Sequence, residues 1–461
     1  MNFSINYSNK KITNVKTWFY LCLCIEVFLL ILNTPIFRTL LIDFAKIMLK
    51  KTVNHEQVGT HLWIYFTYFS FISIILALYS LVNFKNITKT IKKKFNELNQ
   101  QNTFILIICI GVVLRFLVSF IGHNYDFESW TIVGKIVSTG GNVYNETERY
   151  NYSPFFSIIL GFFNSMSFGN LILFRLLIIG LLTIADIGIS FILYKKYGLY
   201  IAILFFLNPI SIIITGYHNQ FDTLAIFFGL VAITYISKTN YALEKSTIKE
   251  GIIIPILFLS LSLITKHLLF IFPIWILINS TISIRNRLLF ATIPVLIFLL
   301  SFTPYIANGY KGIIANVFKY ESENNFPLLL NFSLLQKYFK IIFILLVLLM
   351  GFLFRKRLID NSFYLYLISI VCFSSAIVNQ YMAIPLLAVC IIGGRLKYLY
   401  IIILSAFLIL HKAGLGVYWK SEFSNSFVKA FFESFLSNGY SIAAFILFGI
   451  ILNQLIPKNK I

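Results

Sequence analysis

Charge is scarce in this chain, and acidic charge scarcer still. Only 12% of its 461 residues are Asp, Glu, Lys or Arg, with 17 acidic residues against 38 basic ones. A soluble domain carries about 25% charged residues, so a water-facing surface of ordinary size has too little to cover it. A soluble fold here would have to bury apolar helices along nearly its whole length. Cysteine is equally sparse. The five present (Cys22, Cys24, Cys109, Cys372, Cys390) all fall inside apolar runs, and their spacing outlines neither a disulfide framework nor a zinc site. No small-residue cleavage site follows the first apolar run, which begins near Trp18 and continues to about Phe37, so that run reads as a spanning helix rather than a signal peptide. An internal repeat of the inverted-transporter kind is not visible either.

What is abundant is apolar surface: 59% of the residues are hydrophobic and the mean hydropathy is +0.84. Runs of about 20 apolar residues, the length that spans hydrocarbon, recur throughout. The fold expected is all-α and polytopic, with about 14 spans. The formal net charge of +21 would suggest nucleic acid in a soluble protein. Here the Lys and Arg sit in short turns between apolar runs, the pattern of the positive-inside rule, so membrane lipids and not nucleic acid are the expected surroundings.

Basic clusters orient the chain. Lys10, Lys11 and Lys16 precede the first span, and Lys85 to Lys94 follow the second, at about 61–84. Both termini are then expected on the cytoplasmic side. The third span, about 103–122, delivers 123–152 to the outer face, joined there by 216–222, 265–267, 307–338, 379–381 and 412–439. The run 154–169 is too short to cross comfortably. It is expected to be a re-entrant or interfacial helix after the first large outer loop, tolerated only where protein or a water-filled cavity covers it.

Polar residues at membrane depth are costly, roughly 2.5–3.5 kcal/mol for a mid-helix charge, and mark functional sites by default. Four clusters stand out. The first is His123-Asn124-Tyr125-Asp126-Phe127-Glu128-Ser129-Trp130. A carboxylate at that boundary is partly desolvated, which raises its basicity and suits proton abstraction. A solvated loop beside an aromatic belt residue is the plainer reading. The second is Asn208-Pro209 with Gly216-Tyr217-His218-Asn219-Gln220-Phe221-Asp222. A helix-capping turn accounts for Asp222 but not for His218 or Gln220. The third is Thr265-Lys266-His267, inside 252–278, a stretch long enough for one tilted span or two short ones. Lys266 and His267 suit an anion such as a phosphate, or Lys266 snorkels to an interface. The fourth is Asn379-Gln380-Tyr381, ahead of Pro385. Arg175 and Asp186 are too far apart to pair along one helix, and helix–helix roles are expected for both. In this topology all four clusters open toward one face, as a reaction chamber or a substrate path would.

These residues, in this order, resemble the polyprenyl-phosphate-sugar-dependent glycosyltransferases of the GT-C superfamily. The dolichol-pathway glucosyltransferases are closest in look, with echoes of the first GPI mannosyltransferase. The resemblance is carried by Asp126 before Trp130, then Tyr150-Asn151-Tyr152-Ser153-Pro154, Phe174-Arg175 and Ala185-Asp186. It continues through Asn208-Pro209, His218 to Asp222, Lys266-His267 through Pro273, Asn325-Phe326-Pro327 and Asn379-Gln380-Tyr381. It covers roughly 101–412 as a catalytic core. Residues 1–100 stand outside it as an extension with two spans, and 413–461 as an outer loop and a last span. The Asp126–Trp130 spacing is shorter than the family's, and its second proline after Tyr-Pro is missing.

The resemblance implies a hexosyltransferase that moves mannose or glucose from a polyprenyl-phosphate donor to a lipid-linked or cell-surface glycan acceptor on the outer or luminal face, with inversion. It implies Asp126 as general base, with Glu128 as the alternative. Lys266 and His267 would hold the donor phosphate, and His218, Gln220, Asp222, Gln380, Tyr381 and Tyr152 would line the substrate site. No cofactor is demanded, although Asp126 with Glu128 could hold a divalent cation as in some relatives. The membrane would be the plasma membrane of a prokaryote or the endoplasmic reticulum of a eukaryote. The competing class is a lipid-linked glycan transporter or flippase, which needs a cavity reaching both faces in turn and no basic carboxylate at the outer edge.

Overall fold

The computed structural model describes residues 99–241, 249–320, 327–329, 336–411, 414–415 and 426–456, with a few positions between 25 and 43. The expected first two spans lie almost wholly outside these residues, as do Asn325 and Phe326. The chain divides into two compact units, Met1–Glu97 with Ser421–Asn438, and Leu98–Lys420 with Gly439–Ile461. Every candidate site residue belongs to the second.

The described residues are helical, with no strand among them. In chain order the helices are α1 (Gln100–Ser119), α2 (Tyr125–Ser138), the single turn α3 (Val143–Glu146), α4 (Pro154–Met166), α5 (Leu171–Tyr197), α6 (Leu199–Phe206) and α7 (Pro209–Ile213). They continue as α8 (Asp222–Tyr241), α9 (Ile254–Thr265), α10 (Phe272–Ile278), α11 (Ile284–Leu300) and α12 (Ile306–Gly312). The last five are α13 (Phe339–Leu353), α14 (Ile359–Cys372), α15 (Leu386–Ile392), α16 (Leu396–Leu410) and α17 (Ser426–Leu455).

α1 is built inside out relative to a soluble helix. Its buried stripe is Phe104, Ile107, Gly111, Arg115 and Ser119, at steps of three and four residues. Its exposed face carries Ile105, Leu106, Ile110, Val113 and Leu117. Burying an arginine while exposing five large apolar side chains is unfavourable in water and natural in lipid.

Among the described residues, four helical stretches are long and apolar enough to cross a membrane: Gln100–Ser119, Leu171–Tyr197, Ile284–Phe318 and Phe435–Leu455. A fifth is available if α6 and Pro209–His218, bent by 44°, act as one span. The expected count of about 14 spans is not supported. The reason is local: most of the other apolar runs break into helices of 10–17 residues where proline or a polar side chain interrupts them. The stretch 252–278 shows this, dividing into α9 and α10 around Lys266, whose backbone is extended (φ −150°, ψ 126°). The run at 154–169 forms a helix, α4, of 13 residues. At 1.5 Å per residue it is about 20 Å long, short of a crossing.

α4 packs against α2, and between them and α8 lies an aromatic floor. Trp130 is 2% exposed. Phe156 stacks on Phe221 with centroids 3.8 Å apart, and Trp130 meets the Phe221 ring edge-on at 5.3 Å.

A candidate chamber around Lys266

Asp126 sits in the first turn of α2. Its neighbour Asn124 caps that helix, the side-chain Oδ1 accepting from the Asp126 N–H at 3.2 Å. The Asn124 Nδ2 then faces two acceptors. It donates to Asp126 Oδ2 at 2.7 Å and lies 2.8 Å from His218 Nδ1. An amide nitrogen only donates, so His218 accepts at Nδ1 and carries its hydrogen on Nε2. That Nε2 is buried and has no protein partner. Asp126 is half-buried, and desolvation lifts its carboxyl above the ordinary carboxylate range. The hydrogen bond from Asn124, the nearby Gln220 amide and the Lys266 ammonium oppose that rise, while Asp222 adds to it.

The second cluster is placed by an irregular turn. After α7, whose first turn Asn208 caps at Ile210, one π-helical turn spans Ile214–His218. Asn219 then adopts the left-handed conformation (φ 56°, ψ 39°). Gly216 is required here, since a Cβ on it would collide with the Arg115 backbone carbonyl. Arg175, reaching over from α5, holds the turn. It donates to the carbonyls of Ser119, Gly122, Gly216 and Tyr217 and, through Nε, to Asn219 Oδ1 at 3.0 Å. Trp130 Nε1 donates to the Asn219 carbonyl at 3.1 Å. With the turn pinned from both sides, His218, Gln220 and Asp222 are buried.

Lys266 completes the arrangement. α9 ends one residue before it, and the extended backbone turns its side chain inward. The ammonium donates to Asp222 Oδ2 at 2.8 Å and to Gln220 Oε1 at 3.3 Å. It lies 5.1 Å from the Tyr152 ring centroid and 5.0 Å from that of Phe221. At 6% exposure Lys266 does not snorkel. Asp222 opens α8, yet its Oδ2 serves Lys266 rather than a helix cap, and its Oδ1 is buried without a protein partner. The His267 ring lies 5.9 Å from Tyr152, with its Nδ1 likewise buried and unpartnered. Tyr381 is within electrostatic reach of Lys266, Tyr152 and Asp222. Gln380 is half-buried on the same 3-10 turn, Asn379–Ala383, and is not tied to Lys266.

Three expectations are thus placed apart from the chamber. Glu128 is exposed and faces Arg149 at 3.7 Å. Two residues apart on a helix, Glu128 and Asp126 point to different faces. Among the described residues no group of three His, Cys, Asp or Glu side chains is gathered as metal ligands would be. Asn379 works as a strut, its Oδ1 accepting from the Tyr440 hydroxyl at 2.6 Å.

Sequence reasoning did not single out Asn219, gave Asn124 no role and passed over Arg115. Arg115 pairs with Asp186 at 3.0 Å, both fully buried. A lone arginine within the apolar run 103–122 was the available signal.

Comparison with known families, with curated proteins and with solved structures finds no match for this chain. The chamber is therefore read on its own chemistry: a half-buried carboxylate of raised basicity at the edge, a buried ion-paired ammonium within, and four buried polar atoms on His218, Gln220, Asp222 and His267 that no protein group satisfies.

Proposed function

We propose that this chain is an integral-membrane glycosyltransferase that transfers a hexose from a polyprenyl-phosphate donor to a glycan acceptor on the outer or luminal face, with inversion. The observation that supports it best is the pairing of Asp126 with the Lys266 group in one place. Two carboxylates lie within reach of one ammonium, and their surroundings make them unlike. Asp222 is wholly buried and ion-paired. Asp126 is half-buried, and its affinity for a proton is raised by desolvation. Separated environments of this kind divide acid–base work from electrostatic work.

In this reading Asp126 takes the proton of the acceptor hydroxyl. The hydroxyl oxygen attacks the anomeric carbon on the face opposite the phosphate. The bond from that carbon to the phosphate oxygen breaks, and polyprenyl phosphate leaves with the electron pair. Lys266 and His267 receive the phosphate charge, and His218 Nε2–H, Gln220 and Tyr152 supply polar contacts to the sugar. α4 lies in the interface as the covered helix beside the chamber. The host membrane is the plasma membrane in a prokaryote or the endoplasmic reticulum in a eukaryote.

The test is incubation of the purified full chain in detergent with polyprenyl-phosphate mannose or glucose and a glycan acceptor. Release of polyprenyl phosphate with formation of a new glycosidic bond is the expected result. No release from either donor, together with movement of lipid-linked glycan between two compartments in proteoliposomes, would replace the transferase by a transporter.

A further inference from the structure

Outside the Lys266 chamber, the structure contains an open cleft of about 460 Å³, within the usual range of about 300–1,000 Å³ for ligand sites. One wall is α3 with the two residues after it, contributing Asn145, Glu146, Thr147 and Glu148. The other is α12 with the π-helical turns that follow it, Ile313–Phe318, contributing Lys311 and Asn316.

The two walls are fixed against each other. Gly312 lets α12 approach so closely that any Cβ there would strike the Tyr144 carbonyl. Asn142 Nδ2 donates to the Tyr305 carbonyl at 3.2 Å, and Asn316 Nδ2 to the Thr147 carbonyl at 3.4 Å. The Tyr144 ring packs on Phe302 and Tyr305 with centroids 5.8 and 5.5 Å away. These contacts tie the two walls of the cleft together within the fold itself. It is also joined to the chamber: the Tyr144 hydroxyl donates to the Tyr152 carbonyl at 2.7 Å, and Tyr152 is the residue whose ring faces Lys266.

The lining selects a ligand class. Amides, a hydroxyl, two carboxylates and one ammonium alternate along it, so donors and acceptors are interleaved. Hydroxyl groups, each donor and acceptor at once, match such a lining. Two carboxylates against one lysine disfavour phosphates and acidic sugars. The ring beneath the cleft, Tyr144, is 3% exposed, so it offers an acyl chain no open face. We infer that this cleft binds the neutral sugar residues of the acceptor glycan behind the one that carries the reacting hydroxyl. The identity of the ligand as an acceptor rests on the transferase reading; the binding itself does not.

The test is saturation-transfer NMR on the purified full chain in detergent, with α-mannopentaose and maltopentaose as probes and 3′-sialyllactose as the anionic comparison. At least one neutral pentaose is expected to bind. The double variant Glu148→Ala/Lys311→Ala, both at exposed positions, should weaken it about tenfold with the melting temperature unchanged. Absence of binding by both pentaoses, undiminished binding in the double variant, or equal binding of the sialylated sugar would each overturn the inference. Asp126→Asn separates this from the transferase reading, because it should bind the pentaose as the parent does while losing transfer. A parent protein that binds but does not transfer would sink the enzyme and leave the cleft standing.

Discussion

Two buried ion pairs lie in the same unit of this protein and are built to different ends. Arg115–Asp186 joins α1 to α5 at 3.0 Å with both side chains fully buried. Lys266–Asp222 joins the end of α9 to the start of α8 at 2.8 Å. Each carboxylate leaves its Oδ1 without a protein partner, so that feature does not separate them. What does is the company. Arg115 is closed on every side: by the Gly111 carbonyl, by Ser211, and by the Phe206 ring 4.2 Å away. Asp186 Oδ2 also accepts from Thr215 at 2.8 Å. Around Lys266 the groups are unfinished. His218 Nε2 and His267 Nδ1 lack partners, and Asp126 stands half-buried at the edge. A pair closed by its own neighbours holds helices together, whereas a pair ringed by unsatisfied donors and acceptors is set up for something else to complete it.

The comparison can be broken by substitution. The largest effect is expected at Asp126. Asp126→Asn should reduce sugar transfer by roughly the 10²–10⁴-fold that general bases contribute. Stability should move the other way. Burial in the folded state raises the pKa of this carboxyl, so the fold favours its neutral form, and ionisation at neutral pH costs stability. The Asn variant should therefore melt at or above the parent temperature at pH 7, with the difference closing as pH falls below the ordinary carboxylate range. A lower melting temperature at pH 7 would mean that Asp126 is structural.

Asp186→Ala should do the opposite. It strands the Arg115 charge in the span, a loss of about 3–5 kcal/mol for a broken buried pair, seen as depleted folded protein in a detergent melting assay. Normal folding with lost transfer would invert the assignment of the two pairs. Lys266→Met comes next. Donor KM should rise at least tenfold with acceptor KM little changed, and an equal rise in both would remove the donor-phosphate role. The smallest effect is expected at Asn124→Ala, which deletes a hydrogen bond that favours the Asp126 carboxylate. The acidic limb of the pH–rate profile should move to higher pH, with the plateau reduced less than in Asp126→Asn. An unmoved limb would limit Asn124 to helix capping.

Much of the chamber was legible in the chain. Asp126, His218, Gln220, Asp222, Lys266 and His267 stand out as polar residues that an apolar chain has no reason to carry, Tyr152 enters through the family resemblance alone, and folding gathers them. Glu128 was not separable from Asp126 by type. Two residues along a helix turn a side chain by about 200°, and that rotation puts Glu128 on the surface beside Arg149. Asn124 has the most ordinary of sequence roles, a helix cap, and only the fold brings His218 from 94 positions away to its amide. The number of spans was overestimated for a related reason. Apolar runs on either side of a break such as Lys266 read as crossings, while the helices they form, α9 of 12 residues and α10 of 7, are too short for one.

The chain by itself determined an all-helical, lipid-suited molecule and a short inventory of residues with chemical potential. Composition and period suffice for that, because apolar surface and costly polar groups are properties of residue type. Which charge meets which was decided by tertiary structure alone. Arg115 found Asp186 over 71 positions and Lys266 found Asp222 over 44. In each case a helix end or packed helix face, and not sequence proximity, brought opposite charges within about 3 Å. The desolvation that distinguishes Asp126 from an ordinary surface carboxylate has the same origin.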